Sequence, residues 1–184
     1  MFEVDDLSHA SPATVSRCGM VLLEQHQLGH NVFITTYVNY LRTFIDAKHC
    51  DKLDPLFHFL VDICVEFTRK NCKFPCPGNG AYVVNHTIKY MDCYLDQFKP
   101  GPEDEPENFE QPKDMWDRII NSLVYGLIWG IGGCIEELTR GKFDAMFKQL
   151  LAGEDVMTEY SIDLGEEKNA SYEPTKIDVK LGEI

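Results

Sequence analysis

The chain has 184 residues, of which 44% are hydrophobic and 26% charged, and its formal net charge is −13. This length suits one domain, or one plus a piece of another, and the composition can bury a core, so a disordered chain is excluded. The acidic balance excludes a general nucleic-acid binder and a ligand of anionic membranes, because both need a Lys/Arg footprint.

Met1-Phe2-Glu3-Val4 reads as a strand already in progress, with no basic, apolar leader before it. The expectation is therefore a truncated gene model or a fragment, soluble and cytosolic. Asp5-Asp6-Leu7-Ser8 offers turn and N-cap residues, and Ser11-Pro12 repeats the signal. Ser11 can cap and Pro12 suits the first helical position, so a short helix is expected, ended by Gly19. Met20-Val21-Leu22-Leu23 follows as a buried strand.

From Val32 the period becomes helical. Val32, Phe33, Tyr37, Tyr40, Leu41, Phe44 and Ile45 predict an amphipathic helix over about residues 31–47. Asp54-Pro55 is read as the opening of the next helix, with Leu56, Phe59, Leu60, Ile63, Cys64 and Phe67 inward. Asn71 to Gly80 is a loop rich in Pro and Gly, and a third helix is expected over 83–98. Residues 99–113 form an acidic, proline-rich loop, read as solvated surface. Residues 114–130 carry both tryptophans and are expected to be the centre of the core. The longest apolar stretch, Leu123 to Ile135, is well short of the roughly 20 residues of a spanning helix. A last helix carries Phe143, Met146, Phe147 and Leu150 and stops at Gly153. Beyond it, 160–164 and 176–181 alternate like short strands, within a tail or linker.

The chemistry-bearing residues are few. No G-x-x-x-x-G-K-[ST] loop occurs: before Gly141-Lys142 the first glycine is replaced by Glu136, and Phe143 replaces the hydroxyl. Gly78-Asn79-Gly80 fails the dinucleotide pattern, since Val83 stands where the third glycine belongs. Cys72 and Cys76 have workable zinc spacing, with His49, Cys50 and His86 elsewhere, but structural zinc usually needs a second such pair. Cys18 beside Arg17 is a candidate thiolate without a supported histidine, His9 being near only in sequence. The seven cysteines, an odd number, lie mostly in apolar helical patterns, where cysteine acts as a small hydrophobe. Arg17 remains, at the end of a short helix and directly before a strand. A guanidinium held there is suited to stabilise charge on a phosphoryl group supplied by a neighbour.

Phe2-Glu3-Val4-Asp5-Asp6-Leu7, followed by Ala10-Ser11-Pro12-Ala13-Thr14-Val15-Ser16-Arg17-Cys18-Gly19-Met20-Val21, closely resembles the dynein heavy chain, in its axonemal form. The likeness is to the end of the large subdomain of the second AAA+ module. Residues 122–133 and Arg140-Gly141-Lys142-Phe143-Asp144 are similar to late helices of that module's lid. The resemblance implies a mainly α fold: a helical AAA+ lid over 27–152, preceded by the last strands of an α/β large subdomain in 1–26. Residues 153–184 would be a linker toward the next module.

It also implies membership of an ATP-driven, minus-end-directed microtubule motor of the ciliary axoneme. Arg17 would be an arginine finger acting in trans on a neighbouring nucleotide site. ATP and Mg would be bound by the parent motor and not by this chain alone, which should be inactive as an ATPase. The implied partners are neighbouring AAA+ modules, intermediate and light chains and microtubules, with no nucleic acid and no membrane. The alternatives from the residues are a stand-alone helical interaction module without catalytic activity and a small cysteine or metal enzyme.

Overall fold

The computed structural model describes residues 8–17, 19, 29–75, 80–100 and 111–179. The two strands expected within residues 1–26, Cys18, Cys76 and most of the acidic loop lie outside them. Among the described residues the chain is helical, with no strand.

Helix α1, Pro12–Arg17, begins as its sequence dictates. Ser11 Oγ accepts from the Thr14 amide at 3.2 Å, and Pro12 occupies the first helical position. No residue of α1 is buried. The body starts with α2, Asn31–Leu41, followed by α3, Ala47–Asn71, α4, Gly80–Leu95, α5, Met115–Gly130, and α6, Glu137–Ala152. Two short helices, α7 at Val156–Glu159 and α8 at Glu166–Ala170, complete the order.

Helix α3 touches α2, α4, α5 and α6, and its Leu53, Phe57, Leu60, Ile63 and Phe67 are fully buried or nearly so. It starts well before Asp54-Pro55, and Pro55 lies inside it. A proline there has no N–H for the Asp51 carbonyl and costs about 3 kcal/mol. Cys50 and Leu53 before it and Phe57 and Leu60 after it share one buried face, at about 1.5–3 kcal/mol for each large side chain. Burial therefore carries the helix through the proline.

Two further expectations shift. In α2 the buried face is Ile34, Tyr37, Val38 and Leu41, while Val32, Phe33 and Tyr40 are exposed. The helix also ends at Leu41, so Phe44 and Ile45 reach the body from turns. In α5 the core contacts are Ile119, Ile120, Leu123, Val124 and Leu127. Its tryptophans flank that face: Trp116 stacks on His49 at 6.0 Å, and Trp129 is 50% exposed. Indole is large and amphipathic, so it sits readily at the margin of a core.

Helices α4 and α5 form the tightest pairing. A Cβ on Gly130 would lie 2.5 Å from the Thr87 amide nitrogen, and one on Gly126 2.8 Å from the Thr87 carbonyl oxygen. These glycines let the two backbones touch. Thr87 is fully buried and donates its hydroxyl to the Val83 carbonyl at 3.1 Å, so no polar atom is stranded at the contact.

Past α6 the chain stays on the body. Val156, Met157 and Ile162 are buried in the core, and 163–179 crosses the surface as a strap. The alternation at 176–179 is real, with Lys176 and Asp178 exposed and Ile177 and Val179 half-buried. It does not make a strand. The Ile177 amide donates to the Leu151 carbonyl at 2.9 Å, so the segment caps the end of α6.

Candidate functional site

Arg17 is the last residue of α1 and is exposed. A cation suits that position because helix C-termini carry partial negative charge. No side-chain hydrogen bond or ion pair joins its guanidinium to another described residue. The guanidinium is thus presented outward from a short capped helix that adds nothing to the core. His9, also exposed, forms no catalytic set with it among the described residues.

The cysteines do not gather into a site among the described residues. Cys50, Cys64, Cys72 and Cys134 are free thiols, and burial pushes the pKa of each upward, away from thiolate. Cys72 Sγ donates to the Thr139 carbonyl at 3.9 Å. His49 lies on Trp116, and His86 packs against the Tyr82 ring at 4.3 Å. No group of three or more potential metal ligands is present among the described residues. No described helix is long and apolar enough to cross a membrane.

The ends of the acidic loop are pinned at one corner. Lys99 Nζ pairs with Asp96 and, at 3.3 Å, with Asp92, and it lies 5.2 Å from the Tyr40 ring centre. Asp96 first, and then the Tyr40 hydroxyl, hold the Lys99 ammonium above its ordinary pKa. On the other side Gln111 donates to the Phe44 carbonyl at 2.7 Å. The loop therefore leaves and rejoins the body at the end of α2.

The main buried charge escapes a reading of motifs. Asp62 lies in α3 between Val61 and Ile63 and is 8% exposed. Its Oδ1 accepts from His30 Nε2 at 2.8 Å, and its Oδ2 from Lys168 Nζ. Burial pushes this carboxyl upward, but the hydrogen bonds from His30 and Lys168 outweigh it and hold the pKa below the ordinary aspartate range. Asp62 thus joins the segment leading into α2 to the strap beyond α7. The available signal was an acidic residue inside the run Phe59-Leu60-Val61-Asp62-Ile63-Cys64, where a charge must find partners.

A model of the dynein heavy chain AAA lid domain matches residues 53–177. The chain belongs to that family. Dynein lid character accounts for an all-helical body, and the match includes the strap as far as the Ile177 that caps α6. Dynein axonemal heavy chain 3 of Mus musculus is 33% identical over 159 residues, covering 84% of this chain and 4% of that protein. Dynein axonemal heavy chain 12 of Mus musculus is 34% identical over 155 residues, covering 83% of this chain and 5% of that protein. Dynein axonemal heavy chain 2 of Homo sapiens is 26% identical over 172 residues, 89% of this chain and 4% of that protein. The dynein lid chain described here thus spans about a twentieth of the length of these relatives. No solved structure matches it.

Proposed function

We propose that this lid belongs to the motor ring of an axonemal dynein heavy chain, at the second AAA+ module, and that Arg17 reaches in trans to nucleotide held by a neighbouring module. The observation that carries the reading is the likeness to axonemal heavy chains over 83–84% of the chain. In this reading residues 1–26 belong to a large subdomain, 27–152 form the lid, and 153–184 lead toward the next module, with their first part lying on the lid. ATP and Mg are bound by the motor outside this chain. The partners are the other AAA+ modules of the ring, intermediate and light chains and microtubules, and the location is the ciliary axoneme.

The exposed guanidinium at the end of α1 supports the role of Arg17, because an arginine finger must be free to reach a phosphate it does not bind alone. The test is a complete motor domain carrying Arg17→Lys or Arg17→Ala. Each should lower kcat at least tenfold with a smaller change in KM, and Lys should rescue little, because it cannot reproduce the planar fork. Unchanged kcat in both variants would remove Arg17 from the mechanism. The isolated 184-residue chain should show no ATP hydrolysis.

A further inference from the structure

The segment 163–179 combines internal order with slight attachment. Its own bonds are local: Asp163 Oδ1 accepts from the Gly165 amide at 2.9 Å and from Asn169 Nδ2 at 2.8 Å. Asn169 Oδ1 accepts from the Leu164 amide at 3.0 Å, and the Ser171 hydroxyl donates back into α8. None of these bonds needs the body. No residue from 163 to 179 is buried, whereas Val156, Met157 and Ile162 just before them are. The backbone turns through positive φ at Ser161 (52°), beside the anchor residue Ile162, and at Gly165 (93°), within the strap.

The attachments to the body are separate, and Leu164, Tyr172, Ile177 and Val179 are only half-buried against its core. Tyr172 stacks on Phe59 at 5.6 Å and donates its hydroxyl to the Glu154 carbonyl at 3.3 Å. Ile177 caps Leu151 at 2.9 Å. Lys168 meets Asp62 over a cleft of about 180 Å³ also lined by His58, Phe59 and Leu164. Asp62 uses different oxygens for its two partners, so lifting Lys168 away leaves His30 in place on Oδ1. Water entering the opened cleft can replace the ammonium on Oδ2. A buried carboxylate with a resident second partner is what makes such a release compatible with a folded body.

We propose that residues 163–179 are a detachable strap, that the Lys168–Asp62 pair is its catch, and that the strap leaves the body as a unit while α2 to α6 stay folded. This goes beyond the assignment to a motor ring and holds whether or not Arg17 serves a nucleotide. Because Asp62 also holds His30, opening the catch changes the environment of the segment leading into α2, so the two ends of the lid share one residue.

Amide hydrogen exchange on the full chain tests the proposal, with Lys168→Met and Lys168→Arg beside the native protein. Lys168 is half exposed, so neither change threatens the core. Lys168→Met should raise exchange of the Ile177 amide at least tenfold and leave α4 and α5 unchanged, and Lys168→Arg should keep the native pattern. Unchanged exchange in Lys168→Met would overturn the catch. A parallel rise through α4 and α5 would show that the strap is integral to the fold, and loss of protection in Lys168→Arg equal to that in Lys168→Met would overturn the ion-pair assignment.

Discussion

The α4–α5 seam and the strap hold the same molecule together by opposite means. At the seam two backbones meet through Gly126, Gly130 and Thr87, with no room for a methyl group and no exposed polar atom. At the strap no residue is fully buried, and attachment rests on one ion pair, one ring stack, two hydrogen bonds to carbonyls and the half-buried side chains of Leu164, Tyr172, Ile177 and Val179. Close packing has no intermediate position, since a core contact is either made or lost. Polar attachment to a surface can be traded for water at modest net cost. This lid is therefore rigid at the α4–α5 seam and able to respond at the strap.

The seam should break hardest. In Gly130→Ala the new methyl meets Thr87 backbone, which cannot rotate away, so α4 and α5 must separate. We expect a loss of about 3 kcal/mol in urea unfolding, at the upper end for overpacking, with the unfolding transition remaining cooperative. A loss below about 0.5 kcal/mol would mean that the helices slide easily and that the seam is no more rigid than the strap.

Asp62→Asn comes next, because it removes the charge common to both partners while keeping the shape. Two charge-assisted hydrogen bonds weaken, for a loss of about 2 kcal/mol near neutral pH. The folded-state pKa of Asp62 is depressed, so its contribution is complete above the ordinary aspartate value of about 4 and vanishes as pH falls through the lower folded value. From pH 5 downward the native chain should therefore lose its advantage over Asp62→Asn, and urea midpoints measured across that range should converge. A gap that does not narrow at all as the pH falls would show that packing, and not charge, holds this site.

Helix existence was legible in the sequence because each apolar face repeats at helical spacing: Phe143, Met146, Phe147 and Leu150 are all buried as expected. The short helix was legible from Ser11-Pro12, a local signal with a local result. Legibility failed where a distant segment decides. Pro55 looked like a start because the burial on both sides of it comes from other helices. Ile177 and Val179 looked like a strand because alternation reports one buried side and does not say what lies there. Asp62, His30 and Lys168 are separated by 32 and 106 residues, and no spacing rule joins them. Arg17 was a candidate from its place between a short helix and an expected strand, and only the resemblance gave it a role in trans.

The smallest expected effect lies where the two regions meet. Gly153 ends α6 with φ +80°, and its amide and that of Glu154 donate to the carbonyls of Leu150 and Gln149 at 3.2 and 3.0 Å. This is the pairing of a left-handed helix stop. The strap passes directly over it, so that a Cβ on Gly153 would lie 2.8 Å from the Lys176 nitrogen. A substitution therefore meets two separable penalties. Gly153→Ala suffers both left-handed strain, at about 1–2 kcal/mol, and collision with the strap. Gly153→Asn brings the same Cβ but tolerates the left-handed conformation better. Urea unfolding should rank native above Asn and Asn above Ala, the gap between the variants measuring strain at the end of α6. Exchange at 172–178 should rise equally in both, because the collision with Lys176 is common to them. If exchange there instead followed the stability ranking, the strap and the body would open together, and the contrast between them would collapse.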